Sequence, residues 1–254
     1  MTLAARLRHA AADADALLRC GWCTLGSAFA AEVVGRSGAD VVCVDVEHGL
    51  LDWDGALPVV IALSAGAIPV VVRVPSHEPA AIMKALDAGA AGVVVPHVES
   101  AEEAAAIASA CRYPPEGRRS WGPTRASLLS SGDTAAANRE VVCIAMVETV
   151  AAIDRIEEIA TSPGIDAVLV GSNDLALDLL HEGGSVTSVK DSGEFEQLLA
   201  RAADACRRAG VVAGAPVQPS YSVGRLRELD FRLVVGASDA ALLRQAARLE
   251  FAAG

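Results

Sequence analysis

Aromatic side chains and excess positive charge are both lacking in this sequence. Phe, Trp and Tyr make up only 4% of the 254 residues, while hydrophobic residues of all kinds make up 52%. The core must therefore consist of Ala, Val, Leu and Ile, a mixture that suits buried parallel strands covered by alanine-rich helices. The formal net charge of -11 argues against nucleic acid or an anionic membrane as a partner. A locally positive site for an anionic substrate is still compatible with that charge.

Long hydrophobic runs are absent as well. No window approaches the roughly 18 uninterrupted apolar residues of a membrane-spanning helix. Met1–Ala10 lacks the continuous apolar segment of a secretory signal, so we expect a cytoplasmic protein. Of the six cysteines, Cys20 and Cys23 have the spacing of a redox pair. They lie within the first predicted strand rather than at the start of a helix, and we therefore favour a structural role for both.

Apolar runs typical of strands alternate with helical patterns along the whole chain. The runs predict strands near 20–27, 40–46, 68–74, 91–96, 142–148, 166–171, 211–215 and 231–236. The helical patterns cover Ala28–Ser37, Trp53–Ala65, Ala80–Ala88, Ala101–Ala110, Thr149–Ala160, Gly193–Ala209, Ser222–Glu228 and Asp239–Phe251. We expect irregular chain at 112–139 and 181–191. Eight strands followed by helices predict one (β/α)8 TIM-type barrel over residues 1–254. A doubly wound sheet is the competing fold, but no Gly-x-Gly-x-x-Gly turn follows an early strand.

Two carboxylates follow buried strands. Glu148 ends the run that begins at Val141, and Asp174 comes shortly after the run that ends at Val170. Burying an ionised carboxylate costs several kcal/mol, roughly, unless a cation or proton compensates it. Two carboxylates from neighbouring strands suit a hard divalent cation, which predicts Mg²⁺ or Mn²⁺, with Co²⁺ or Zn²⁺ as alternatives. Asp174 alone could be only a helix cap.

Ionisable residues also follow the second and third predicted strands. Asp45, Glu47 and His48 crowd one strand end. Because imidazole titrates near neutral pH, His48 is the natural general base, and Asp45 or another carboxylate could fix its tautomer. Arg73 follows three valines and could hold an anionic or enolate oxygen. The alternative for Arg73 is a structural ion pair with Glu47 or Glu148, and the alternative for His48 is a charged surface loop.

These residues together resemble a known family, the HpcH/HpaI aldolases, which are metal-dependent class II pyruvate aldolases. The resemblance covers nearly the full length. It is carried by Val44-Asp45-Val46-Glu47-His48-Gly49, Val72-Arg73-Val74-Pro75, Leu86-Asp87-Ala88-Gly89-Ala90, Arg112-Tyr113-Pro114-Pro115-Glu116-Gly117, Val147-Glu148-Thr149 and Gly171-Ser172-Asn173-Asp174-Leu175. The motifs are specific as an ordered set, whereas each one alone is weak.

The resemblance implies reversible cleavage of a 4-hydroxy-2-oxo acid to pyruvate and an aldehyde. It also implies a barrel whose last helix is exchanged between subunits, assembled as a trimer of dimers. Glu148 and Asp174 would then hold the metal, Arg73 would stabilise the enolate oxygen, and His48 would accept the C4 hydroxyl proton. Asp87 would come from a neighbouring subunit and raise the basicity of His48. Main-chain groups at Ser172 and Asn173 would bind the substrate carboxylate.

The sequence departs from the family pattern at two places near these motifs. Met146 stands where many relatives have a substrate-contacting Gln, and Gly171-Ser172-Asn173-Asp174 replaces the usual Gly-Pro-Ala-Asp or Gly-Pro-Ser-Asp. The identity of the aldehyde that the cleavage releases therefore stays open. Two further interpretations remain: a lyase acting on citryl-CoA or malyl-CoA types of thioester, and a non-catalytic barrel that only binds metal.

Overall fold

The predicted strands close into one barrel. The computed structural model describes residues 1–129, 132–180 and 184–252. Eight parallel strands pair in chain order, and the last pairs with the first. The strands are β1 (Leu18–Cys23), β2 (Val41–Asp45), β3 (Val70–Arg73), β4 (Gly92–Val95), β5 (Val142–Val147), β6 (Ala167–Val170), β7 (Val212–Pro216) and β8 (Leu233–Ser238). The (β/α)8 TIM-type barrel is thereby confirmed, although β1 lies earlier in the chain than the predicted 20–27.

Helices surround this barrel on the outside, except for α1, which packs against the barrel interior at its amino end. They are α1 (Leu3–Ala12), α2 (Ala28–Arg36), α3 (Trp53–Ala65), α4 (Pro79–Asp87), α5 (Ala101–Cys111), α6 (Thr134–Glu140), α7 (Val150–Asp154), α8 (Ile156–Ala160), α9 (Ser172–Asp178), α10 (Val186–Lys190), α11 (Gly193–Ala209), α12 (Val223–Glu228) and α13 (Asp239–Phe251). The described residues include no helix that is both long and apolar enough to cross a membrane.

Two predictions of irregular chain and one of a helix were wrong in part. The region 112–139 is not wholly irregular, because it contains a 3-10 turn at Ala126–Leu128 and helix α6, which Asp133 caps by accepting from the Ala135 N–H. Region 181–191 contains α10, which Ser185 begins with a capping box; residues 181–183 lie outside the described part. The single helix predicted over Thr149–Ala160 is divided into α7 and α8 at Arg155.

The alternation of side chains along the strands creates two core layers. One layer fills the barrel interior with residues such as Val71, Ile144 and Leu233, and α1 adds Leu3 and Leu7 to it at the amino end of the barrel. The other layer lies between the strands and the outer helices and contains the large buried side chains Phe195 and Phe231 among others. Since neighbouring residues of a strand face opposite layers, every second residue points into the barrel.

Candidate active site

Strand alternation determines which polar side chains meet at the carboxyl end of the barrel. Residues Cys20, Cys43, Val71 and Ile144 face the interior, so the inward positions two residues further along are Trp22, Asp45, Arg73 and Met146. This ring of four residues lies where active sites of such barrels are found.

A cavity of about 220 Å³ opens at that end, and we call it the mouth cavity. Its lining combines ionisable, polar and apolar side chains. The lining residues are Trp22, His48, Arg73, Met146, Leu169, Val170, Gly171, Ser172, Asn173, Asp174, Pro216, Val235, Gly236 and Ser238. The structure therefore brings most of the residues predicted from the sequence to one place.

Arg73 is the most tightly held charge of the mouth cavity. Its Nε and Nη2 atoms donate to the two oxygens of Asp45 at 2.9 and 2.6 Å, and its Nη1 lies 2.8 Å from Glu47 Oε2. The contact with Glu47 is an ion pair without the alignment of a hydrogen bond. Burial alone would raise the pKa of Asp45 and lower that of Arg73, but their mutual hydrogen bonds and charges outweigh burial and shift both the other way. The ion pair with Glu47 that the sequence suggested is present, yet the guanidinium still lines the cavity.

Trp22 completes the support of this pair. Its indole Nε1 donates to Asp45 Oδ2 at 3.0 Å, and its ring lies 5.2 Å from the Arg73 Cζ atom. The indole thus fixes the carboxylate that orients the guanidinium and adds a cation–π contact to the guanidinium itself. The sequence motifs gave no reason to select Trp22; its inward position two residues after Cys20 was the available signal.

His48 is held through its main chain. Its N–H donates to Asp45 Oδ1 at 3.1 Å, while the imidazole is about two-thirds exposed and its Nε2 lies 3.9 Å from Glu47 Oε2. The contact that we predicted between Asp45 and the imidazole is therefore not found among the described residues. The physical reason is that Arg73, Trp22 and the main-chain N–H groups of Glu47 and His48 already occupy both oxygens of Asp45.

Glu148 is almost completely buried, with 2% of its surface exposed. Its Oε2 accepts from the His97 main-chain N–H at 2.8 Å and lies 3.1 Å from His97 Nδ1. Desolvation raises the pKa of Glu148, and the charges of Asp174 and Glu47 raise it further against the lowering effect of His97. A buried carboxylate with two acidic neighbours is a place where a cation would be stabilised.

Gly171 leaves the space that this carboxylate occupies. A Cβ atom at residue 171 would lie 2.4 Å from Glu148 Oε1, so a larger residue would displace the carboxylate. The glycine precedes Ser172, which is buried, and Asp174, which is partly exposed in the first turn of α9. Asp174 lines the mouth cavity and its charge acts on Glu148, and two interacting carboxylates of this kind fit a hard divalent cation. Among the residues that the structure describes, no group of three or more His, Cys, Asp or Glu that could hold a metal ion is found.

Comparison with known proteins decides the family. The sequence profile described as HpcH/HpaI aldolase/citrate lyase matches residues 20–244. The chain belongs to this family. It is 39% identical over 235 residues to a hydroxypyruvate/pyruvate aldolase of Rhizorhabdus wittichii, covering 90% of each chain. It is 32% identical to a 2-dehydro-3,6-dideoxy-6-sulfogluconate aldolase of Pseudomonas putida, covering 87% of this chain and 86% of that one.

A solved structure supports the same assignment. A HpcH/HpaI aldolase/citrate lyase family protein from Burkholderia cenocepacia is similar with a TM-score of 0.86 and 32% identity, over 96% of this chain and 97% of that one. The resemblance read from the sequence is thereby confirmed. The family and its aldolase members make this chain a carbon–carbon lyase, which removes the non-catalytic barrel from the interpretations left open.

One predicted site residue of this HpcH/HpaI aldolase lies far from the mouth cavity. Asp87 ends α4, at the amino end of the barrel, where its Oδ1 accepts from Arg119 Nη2 at 2.8 Å. Arg119 stacks over Tyr113 and lines a second cavity of about 360 Å³ at that end. Although this cavity is larger, it contains none of the ionisable groups of the mouth cavity. Within one chain, Asp87 therefore does not reach His48.

Proposed function

We propose that this carbon–carbon lyase is a divalent-metal-dependent aldolase that cleaves a 4-hydroxy-2-oxo acid into a pyruvate-type 2-oxo acid and an aldehyde. The observation that carries the proposal is that Arg73, His48 and Asp174 line one cavity at the carboxyl end of the barrel, and that Glu148 lies close enough to Asp174 for their charges to interact. A cation-binding pair, a fixed guanidinium and a base are the groups that this reaction needs.

His48 acts at the C4 hydroxyl of the substrate, and Arg73 acts at the C2 oxygen. The imidazole of His48 accepts the proton of the C4 hydroxyl, the C3–C4 bond breaks, and the C4 oxygen becomes the aldehyde carbonyl. The electron pair of the broken bond passes to the C2 oxygen, where the Arg73 guanidinium stabilises the enolate charge. C3 then takes a proton from solvent and the C2 carbonyl re-forms, which gives the 2-oxo acid, while His48 releases the hydroxyl proton to solvent. Because Asp45, Glu47 and Trp22 fix Arg73, little reorganisation is needed as that charge develops.

Glu148 and Asp174 would hold the cation. When bound, a divalent cation supplies Lewis-acid polarisation of the 2-oxo group and relieves the repulsion between the two carboxylates. The oxygen ligands favour Mg²⁺ or Mn²⁺. Ser172 and Asn173 line the adjoining wall, where their main chain can bind the substrate carboxylate. Met146 gives this wall an apolar side chain at a position where an amide would otherwise contact substrate.

The names of the relatives narrow the class of 2-oxo acid that the cleavage releases. The R. wittichii protein is named for hydroxypyruvate and pyruvate, and the P. putida protein for a sulfonated 2-oxo sugar acid. We propose pyruvate or hydroxypyruvate as the product that carries the 2-oxo group. The aldehyde is the variable half of the substrate.

Proton NMR of pyruvate in D₂O tests the proposal directly. We expect the methyl signal to decrease only when enzyme and Mg²⁺ or Mn²⁺ are both present, because enolate formation exchanges these protons. In a separate assay of aldol cleavage, His48→Ala should lower the rate by roughly 10²–10⁴-fold, while Mn²⁺ affinity measured by calorimetry stays nearly unchanged. Absence of exchange with any divalent metal, combined with cleavage of malyl-CoA, would assign the thioester lyase activity instead.

Assembly would account for the position of Asp87. We propose a homo-oligomer in which Asp87 of one subunit reaches the His48 of another, with α13 exchanged between subunits. Co-expression of Asp87→Asn and His48→Ala chains tests this, since mixed assemblies would contain sites in which both residues are intact. Recovery of activity that neither variant shows alone is expected. A mixture as inactive as its components would contradict the shared site.

A further inference from the structure

Asp87 is held through one of its two carboxylate oxygens. Its Oδ1 accepts from Arg119 Nη2 at 2.8 Å, and 25% of its side chain is exposed. Among the residues that the structure describes, no donor is hydrogen-bonded to Oδ2. A Cβ atom at residue 122 would already touch Oδ2 at 3.6 Å, so Gly122 leaves more of this oxygen uncovered than a larger residue would. An ionised carboxylate in this state can accept a further hydrogen bond from another molecule.

Arg119 is the fixed member of this pair. The residue is 7% exposed, and its Cζ atom lies 4.6 Å from the centre of the Tyr113 ring. Its Nε is buried and has no hydrogen-bond partner among the described residues. Burying a guanidinium with an unmet N–H costs free energy, which the carboxylate of Asp87 and the aromatic ring offset in part. Because packing holds Arg119, it is the guanidinium that orients the partly exposed carboxylate.

The main chain on both sides of the pair is braced. The amide of Asn138, which is 3% exposed, accepts from the Tyr113 N–H at 2.7 Å and donates to the Tyr113 carbonyl at 2.9 Å. These two bonds fix the residue whose ring stacks with Arg119. At the end of α4, the main-chain N–H of Arg125 donates to the Asp87 carbonyl at 3.2 Å. The direction in which Asp87 presents Oδ2 is therefore set by the fold.

The mouth cavity has a base that an acid of its own chain does not orient. Among the described residues, the carboxylate contact of the His48 imidazole is Glu47 Oε2, 3.9 Å from Nε2 and beyond hydrogen-bond distance. Asp45 is already bound to Arg73 and to main-chain N–H groups. A base in catalysis is usually oriented by a third group that accepts its other N–H. The Asp87 of a second chain would supply that group.

We infer that Arg119 is the positioning residue for Asp87, fixing Oδ1 so that Oδ2 meets the His48 imidazole of a neighbouring subunit. The inference rests on the proposed function and its shared site, and it adds Arg119 to the residues on which that site depends. Arg119 touches neither the substrate nor the imidazole. Its removal should therefore lower kcat for cleavage and leave KM and Mn²⁺ affinity nearly unchanged.

Two substitutions of Arg119 test this role in cleavage of 4-hydroxy-2-oxopentanoate at saturating Mn²⁺, followed by pyruvate release. Arg119→Met keeps an unbranched side chain against Tyr113 and removes the charge. We expect its kcat to fall about tenfold, as for loss of one charge-assisted hydrogen bond, and Arg119→Lys to recover most of the loss. Adding Arg119→Met to Asp87→Asn should cost at most about twofold more, because the two residues act as a unit. Arg118→Met is the matched control, since Arg118 is the exposed neighbour.

Mixed assemblies distinguish positioning from a general structural role. Arg119→Met chains co-expressed with His48→Ala chains should exceed the activity of either alone, because some sites combine an intact imidazole with an intact Arg119–Asp87 pair. Co-expressed with Asp87→Asn chains, they should keep the low activity of their components, because every chain then carries a damaged pair. Recovery in this second mixture would overturn the inference. Equal losses in Arg119→Lys and Arg119→Met, or a lower Mn²⁺ affinity in calorimetry, would also overturn it.

Failure of the inference can be separated from failure of the proposed function. If the wild type releases no pyruvate and pyruvate methyl protons do not exchange with any divalent metal, the proposed function fails and the inference fails with it. If cleavage occurs and Asp87→Asn keeps full activity, the shared site and the role of Arg119 are both contradicted. If Asp87→Asn slows cleavage but Arg119→Met does not, the inference alone is overturned.

Discussion

At the scale of single residues, the environment of Arg73 shows how an apolar strand can end in a usable charge. Arg73 is 7% exposed, a burial that would be costly for an unpaired cation. Two carboxylates and an indole compensate it, and each of them has a position fixed by strand alternation or by the loop after β2. As a consequence, Asp45 accepts hydrogen bonds from Arg73 and from main-chain N–H groups and makes no contact with the imidazole of His48 in the part of the chain that the structure describes.

Trp22→Phe tests the support of Arg73. The variant keeps an aromatic ring near the guanidinium but removes the N–H that donates to Asp45, which leaves a buried carboxylate oxygen with one partner fewer. Loss of such a bond typically costs about 1–3 kcal/mol. We expect kcat for cleavage to fall about tenfold, roughly 1.4 kcal/mol, with KM changed less. Trp53→Phe, at the start of α3 and outside the cavity lining, is the control. Unchanged kcat in Trp22→Phe would show that Asp45 alone orients Arg73.

The raised pKa of Glu148 predicts how metal affinity depends on pH. Its pKa is raised by burial and by the neighbouring acids, so the protonated form persists above the ordinary value of 4.5. A proton and a cation compete for that carboxylate, and affinity is therefore full above the raised pKa and is lost as the pH falls through it. Without a cation, ionising Glu148 as the pH rises through that pKa costs stability. We expect the Kd for Mn²⁺ to increase about tenfold per pH unit on the acidic side, measured by calorimetry. Glu148→Gln should abolish binding, and a Kd independent of pH would refute the assignment.

At the scale of elements, sequence patterns succeeded where burial is regular. The strands around Val72, Val94 and Val168 were predicted because both faces are buried, which produces continuous apolar runs. Helix α1 was not predicted because it precedes the first strand and stands outside the alternation of strands and helices; its Leu3 and Leu7 are buried against the barrel interior. The break at Arg155 was also missed, since the helical pattern continues through it. The Arg73–Asp45 pairing joins neighbouring strands and cannot be read from spacing.

Asp239 makes the start of α13 part of the barrel mouth. It is 5% exposed, and its oxygens accept from the Thr24 N–H and hydroxyl, the Leu25 N–H and the Ala240 N–H at 2.8–3.2 Å. Asp239→Ala would leave these donors without a partner, at a cost of about 1–3 kcal/mol for each buried group that water does not reach. We expect a clearly lower midpoint in urea unfolding. Glu250→Ala, near the exposed end of the same helix, should have the midpoint of the wild type; an equal effect of both variants would contradict the anchoring role.

At the scale of the whole molecule, the reactivity of the buried cysteine thiols indicates whether the barrel is folded. All six cysteines are free and buried. Cys20 belongs to the interior layer and Cys23 to the layer beneath the helices, so the two side chains lie on opposite faces of β1 and cannot act as a pair. This geometry supports the structural role expected for both. Thiol chemistry should consequently require opening of the fold rather than local motion at one site.

Reaction with a chromogenic aromatic disulfide checks that expectation. Burial raises the pKa of Cys20, Cys23 and Cys206 to about 12, which leaves almost no thiolate at pH 8 in the native state. We expect no rapid reaction of the native enzyme and release of six equivalents per chain in guanidinium chloride. Because exposure requires unfolding, the slow native rate should increase with urea in proportion to the fraction of chains that open. A fast phase of two equivalents without denaturant, lost in Cys20→Ser, would instead show a reactive pair on β1.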